Sequence, residues 1–207
     1  MLAVNHLSVF HDDLPLFESI SFRLQAGDIL QIEGENGAGK TSLLRIVAGL
    51  GKSCCGEVLW QGVPIAQQRE VYHQSMLFIG HLAGVKRELT ALENLRFYQT
   101  IAGKRFAHEE LMTVLAKVGL VGREDVVVAQ LSAGQQRRVA LARLWLSDHL
   151  LWILDEPFAA IDAKGVKVLE ALFVQHAQQG GMVLLTTHQS LPSQHAMLQT
   201  LRLDKRQ

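Results

Sequence analysis

Gly34-Glu35-Asn36-Gly37-Ala38-Gly39-Lys40-Thr41 is a full match to the phosphate-binding loop G-x-x-x-x-G-K-[ST]. Glycines let a backbone curl closely round a polyphosphate, so that its N–H groups point inward. Lys40 can then reach the β- and γ-phosphates, and the Thr41 hydroxyl can ligate Mg²⁺. Ser42 follows at the start of a helix, whose positive dipole end faces the same anion. The flanks fit: Asp28–Glu33 reads as a short strand, and Ser42–Gly49 as a helix that stops at Gly49 or Gly51. Strand, loop and helix in that order are the setting the motif needs. They predict an α/β fold with a phosphate-binding site.

A length of 207 residues suits one large domain or a domain with a small subdomain. A hydrophobic fraction of 48% supports a substantial core. Lys plus Arg and Asp plus Glu both number 20. This balance argues against a broad basic surface and predicts no nucleic-acid partner. Cys54 and Cys55 are neighbours, a spacing that rarely pairs, and two thiols do not make a zinc site. They fit a reducing compartment. The N-terminal Met1–His6 stretch lacks a basic segment followed by a long apolar one. No apolar run approaches the roughly 18 residues a membrane span requires. The expectation is a soluble chain, or one held at a membrane by something else.

Strands and helices alternate. Ile20, Phe22 and Leu24 have the period of a half-buried strand, and Glu57–Pro64 reads as a hairpin turning at Gln61-Gly62. His108–Val118 places Leu111, Val114, Leu115 and Val118 on one helical face, and a second helix is predicted over Ala133–Leu146. Leu150–Leu154 and Met182–Thr187 read as buried strands. Asp162–Gln178 reads as a helix with an Asp cap and a stop at Gly180-Gly181. This alternation predicts a parallel sheet covered by helices, with the helical middle inserted between two of its strands.

The strand Leu150–Leu154 runs into Asp155-Glu156. Ligands of open α/β sheets bind at that end of the strands. Asp155 suits a Mg²⁺-binding role, and Glu156 can orient or deprotonate a water. Leu131-Ser-Ala-Gly-Gln135 then opens a helix. Here the chain resembles the ATP-binding-cassette family, whose signature is LSGGQ, with Ala133 in place of the first glycine. Ser132 supplies a hydroxyl, and Gly134 lets backbone N–H groups approach an anion at a helix start. The resemblance implies that Ser132, Ala133, Gly134 and Gln135 contact the γ-phosphate of nucleotide held by a second copy. It also implies that His188 contacts the γ-phosphate, with Lys40 and Glu156 as its catalytic companions. Ala159–Asp162 is similar to the segment that meets its counterpart across the dimer.

The resemblance covers nearly all of the chain and implies one nucleotide-binding domain over 1–207. That fold is a P-loop NTPase with a RecA-like, mostly parallel sheet core. An N-terminal antiparallel β subdomain joins it, and an α-helical subdomain, about 82–147, is inserted before the Walker B strand. Two further positions depart from the pattern. His81 stands where the family has its hinge glutamine, a possible functional equivalent or simply a partly exposed loop histidine. The aromatic residue that stacks on adenine corresponds to His11, with Phe10 as the alternative; Phe10 fits the core equally well.

Gly56–Gly62, Leu89–Leu95, Gln130–Leu146 and Trp152–Phe158 most resemble the ATP-binding subunits that serve cytochrome c maturation. That likeness implies ATP and Mg²⁺ as ligands, ATP hydrolysis as the activity and a homodimer of nucleotide-binding domains. It also implies integral membrane permease subunits and a peripheral place at the cytoplasmic face of the bacterial inner membrane. No Cys-x-x-Cys-His occurs, and direct haem binding is not expected. The alternative is a soluble cassette ATPase of translation or DNA repair. Against it stand the single cassette, the short insertion and the lack of charge excess or zinc pattern. A scaffold that does not hydrolyse ATP is disfavoured by Asp155, Glu156 and His188.

Overall fold

The structure is a computed structural model that describes residues 1–11, 14–82, 84–187 and 198–203, with the side chain of His11 left out. The chain divides into two compact units: residues 1–80, 149–157 and 173–207 form the first, and residues 81–148 and 158–172 the second.

The first unit holds two sheets. β1 (Leu2–His11), β2 (Leu14–Leu24), β4 (Cys55–Trp60) and β5 (Val63–Pro64) form an antiparallel sheet in the order β2-β1-β4-β5. Gln61 and Gly62 both take positive φ, 53° and 84°. Two successive positive φ values are the geometry of a two-residue hairpin turn. β3 (Ile29–Gly34), β6 (Met76–Ile79), β7 (Leu151–Asp155), β8 (Met182–Thr186) and β9 (Leu198–Leu203) form a five-stranded parallel sheet in the order β6-β7-β8-β3-β9. Every residue of β7 and β8 is buried, which explains their unbroken apolar runs. In the register, Ile32 of β3 and Asp155 of β7 both lie opposite Thr186 of β8. β7 and β8 therefore end at one level, and β3 runs two residues further to Gly34. α1 (Lys40–Val47) packs Leu43, Leu44, Ile46 and Val47 into the core beneath them. α2 (Arg69–Ser75) sends the Tyr72 hydroxyl to donate to the Val47 carbonyl at 2.7 Å.

α6 (Ala163–Gln178) closes the first unit with its last turns. There His176 stacks on Trp152 of β7, with ring centroids 3.7 Å apart and planes within 3°. Its Nε2 is buried without a partner. Burial pushes the imidazole pKa down from its ordinary value near 6.5, an effect partly offset by a hydrogen bond to the Leu150 backbone. Folding thus favours the neutral ring. Its stabilisation is complete above about pH 6.5 and is lost as pH falls below that value. Melting curves between pH 7.5 and 5.5 should show a steeper acid loss of Tm for the wild type than for His176→Phe. Parallel profiles would remove His176 as a source of acid sensitivity.

The second unit is helical. α3 (Ala91–Ile101), α4 (His108–Lys117) and α5 (Ala133–Ala142) enclose a core that includes Leu95, Leu111, Leu115, Val128 and Val139. A reciprocal cap fixes the start of α3. The Thr90 hydroxyl accepts from Glu93 N at 3.1 Å, and the Glu93 carboxylate accepts from Thr90 N at 2.8 Å. The helix expected over 133–146 is shorter than its apolar pattern suggests. α5 ends at Ala142, and Arg143–Leu146 tighten into a 3₁₀ turn. The tighter turn buries Leu144 and lays the Arg143 guanidinium over the Tyr98 ring at 3.9 Å.

Candidate nucleotide site

The phosphate loop joins β3 to α1 within the first unit. Gly39, which caps α1, has φ 93°, and an added Cβ would lie 2.7 Å from Leu16 and 2.9 Å from Phe17. Both the backbone conformation and the space therefore demand glycine. Lys40 is 8% exposed. Its ammonium donates to the Gly34 carbonyl at 2.6 Å and the Glu35 carbonyl at 3.1 Å. Ala38 N donates to Glu35 O at 3.2 Å and tightens the loop further. Glu35, Asn36 and Gly37 are exposed at its crest, Ala38 is buried, and Ser42 is half-buried on the first turn of α1.

The two expected halves of the site meet at Thr41, whose hydroxyl donates to Asp155 Oδ2 at 2.9 Å. Thr186, fully buried, donates to Asp155 Oδ1 at 2.7 Å and accepts from Glu156 N at 2.9 Å. One hydroxyl thus fixes the carboxylate of Asp155 and the backbone of Glu156. Glu156 has φ 51°, a conformation that costs a non-glycine residue about 1–3 kcal/mol. The Thr186 hydrogen bond and the strand pairing of Asp155 help to hold it. The sequence reading missed Thr186. Its signal was a hydroxyl residue ending an otherwise apolar strand.

The signature segment lies in the second unit. Ser132 caps α5: its hydroxyl accepts from Gln135 N at 3.3 Å, and Gln135 Oε1 accepts from Ser132 N at 3.0 Å. Ser132 and Ala133 are exposed, while Gly134 and Gln135 are half-buried. A Cβ on Gly134 would sit 2.5 Å from the Ala160 carbonyl oxygen, so only glycine allows this approach. His81 is exposed, and its carbonyl accepts from Arg137 Nη1 at 3.4 Å. Phe10 is 42% exposed. His11 pairs with Leu14 through its backbone, but its side chain is outside the described residues, as is the whole of His188. A separate cavity of about 740 Å³, lined by residues such as Leu50, Lys52, Arg69 and His73, contains none of these site residues.

The family model described as ABC transporter matches residues 17–159. The chain belongs to the ABC transporter family. Within that family it is 61% identical over 203 residues to the cytochrome c biogenesis ATP-binding export protein CcmA of Vibrio cholerae, covering 98% of each chain. A solved ABC transporter ATP-binding protein from Pyrococcus furiosus has a TM-score of 0.83 at 26% identity, covering 98% of this chain and 96% of that one. A second solved cassette, dimeric and in a post-hydrolysis state with ADP and Pi, has a TM-score of 0.78, covering 91% of this chain and 88% of that one. Its 22% identity makes the likeness one of fold. The chain is thus an ABC-type ATPase. No helix among the described residues is long and apolar enough to cross a membrane.

Proposed function

We propose that this cassette is the ATP-hydrolysing subunit of a membrane export complex for cytochrome c maturation, and that it works as a homodimer. The direct contact of Thr41 with Asp155 carries the ATPase part of the reading, because it unites phosphate loop and strand end. The 61% identity to an export protein of cytochrome c biogenesis, over 98% of both chains, supports the rest.

In this reading, residues 34–39 wrap the phosphates with their backbone N–H groups, together with Lys40, Thr41 and Ser42. Lys40 exchanges its two carbonyl partners for the β- and γ-phosphates. Thr41 and Asp155 offer hard oxygen donors side by side, a set suited to Mg²⁺. When bound there, Mg²⁺ would neutralise charge on the β- and γ-phosphates. Glu156 accepts a proton from the attacking water. His188 stabilises the γ-phosphate, and His11 or Phe10 faces the adenine. His81 takes the hinge position, where its ring can make one hydrogen bond as donor or acceptor.

Each protomer carries its phosphate loop in one unit and its signature in the other. Two-fold pairing would let Ser132, Ala133, Gly134 and Gln135 of one copy close the site of its partner. The dimeric solved cassette is consistent with that pairing. ATP would then favour the closed dimer, and hydrolysis would remove the preference. The helical unit, about 82–147 in the sequence reading, would pass closure to permease subunits of the CcmB and CcmC kind at the cytoplasmic face of the inner membrane.

The test is complementation between dead copies. Lys40→Ala removes a phosphate ligand, and Gly134→Asp spoils the signature. Neither homodimer should hydrolyse ATP. Mixed copies should recover activity, since the intact loop of one meets the intact signature of the other. No recovery in a proven mixed dimer would reject the shared site. Membrane pull-downs with mass spectrometry should find permease subunits; ribosomes or DNA instead would favour the soluble alternative.

A further inference from the structure

We infer that Arg138 is a positioning residue for the signature loop, locking it to the segment 158–162 so that both present to the partner copy as one body. This rests on the dimeric reading above. Arg138 lies on α5, one turn beyond Gly134. Its Nη2 pairs with Asp162 Oδ1 at 3.0 Å, and its Nη1 donates to the Val118 carbonyl at the end of α4 at 3.1 Å. The same Asp162 oxygen accepts from Gly165 N at 2.9 Å in the first turn of α6. One guanidinium therefore ties together the end of α4, the signature helix and the start of α6, all within the second unit.

A second contact reinforces the tie. Gly134 sits so close to the Ala160 carbonyl that a Cβ would be 2.5 Å from its oxygen, and Ala160 takes φ 58°. The signature backbone thus rests directly on the 158–162 backbone, and Arg138 holds the two in register from the side. An arginine suits this position because its planar fork can serve two acceptors in different directions. A lysine ammonium is a single point of charge and lacks the two separated nitrogens with which the guanidinium reaches the Val118 carbonyl and Asp162. An exposed ion pair contributes little stability, so the role assigned here is orientation rather than strength.

The test uses the full chain with Glu156→Gln, which should dimerise on ATP. Adding Arg138→Met should weaken ATP-dependent dimerisation at least tenfold in analytical ultracentrifugation. Calorimetric ATP affinity of the monomer should stay within twofold, an outcome a general loss of structure would not give. Asp162→Asn, at a site 63% exposed and therefore safe for folding, should weaken dimerisation in the same direction. The double variant should be no worse than Arg138→Met alone, and Arg138→Lys should rescue only in part. Hydrogen exchange at residues 132–136 and 158–162 should rise together in Arg138→Met. Normal dimerisation by Asp162→Asn, additive losses or unchanged exchange would overturn the inference. Should Glu156→Gln alone fail to dimerise, the shared-site reading falls, and the exchange measurement decides the positioning role by itself.

Discussion

Glu156→Gln is expected to lower kcat for ATP by about 10²- to 10⁴-fold, the range for loss of a positioned general base. Glutamine keeps the shape and hydrogen-bonding length of the side chain but cannot accept the proton of an attacking water at neutral pH. The backbone should not respond. Glu156 is held at φ 51° by the bond from its N–H to Thr186, and the side chain being changed takes no part in that bond. Asp155 also keeps its contacts with Thr41 and Thr186. ATP affinity should therefore stay level or tighten, because one negative charge leaves the vicinity of the γ-phosphate. Calorimetry and single-turnover hydrolysis separate the two effects. Turnover near wild type would show that another group takes the proton.

Much of this site was legible because its chemistry is local. Residues 34–41 contain the loop, its lysine and its hydroxyl in one continuous stretch, and Asp155-Glu156 follow directly on a buried strand. The antiparallel hairpin at Gln61-Gly62 was readable for the same reason, since two adjacent residues determine the turn. What escaped depends on contacts far apart in sequence. Thr186 meets Asp155 only because β7 and β8 pair in a particular parallel register. Arg138 reaches Asp162 only once α5 and α6 are packed, and the His176–Trp152 stack needs a helix end laid on a strand. The end of α5 was misjudged because apolar spacing fits an α-helix and a tight 3₁₀ turn almost equally over four residues. Tertiary packing of Leu144 and Arg143 decides between them.

Lys40→Ala should weaken ATP binding by about 10- to 10⁴-fold. The ammonium is nearly buried and held by the Gly34 and Glu35 carbonyls at 2.6 and 3.1 Å. Those neutral acceptors keep the side chain folded over the loop without cancelling its charge. Incoming phosphate oxygens replace them with anionic partners, and a hydrogen bond between charged groups contributes about 1.5–3 kcal/mol net. Losing one or two such bonds corresponds to roughly one to four decades of affinity at 1.4 kcal/mol per tenfold. The empty loop should suffer less, because Gly34 and Glu35 lie near solvent and water can take over their carbonyls. Thermal melts without nucleotide should therefore differ by only a few degrees between variant and wild type. The upward shift of Tm that ATP gives the wild type should vanish in Lys40→Ala at concentrations that saturate the parent. A preserved shift would mean that the loop backbone binds the phosphates without Lys40, leaving the residue only its role in shaping the empty loop.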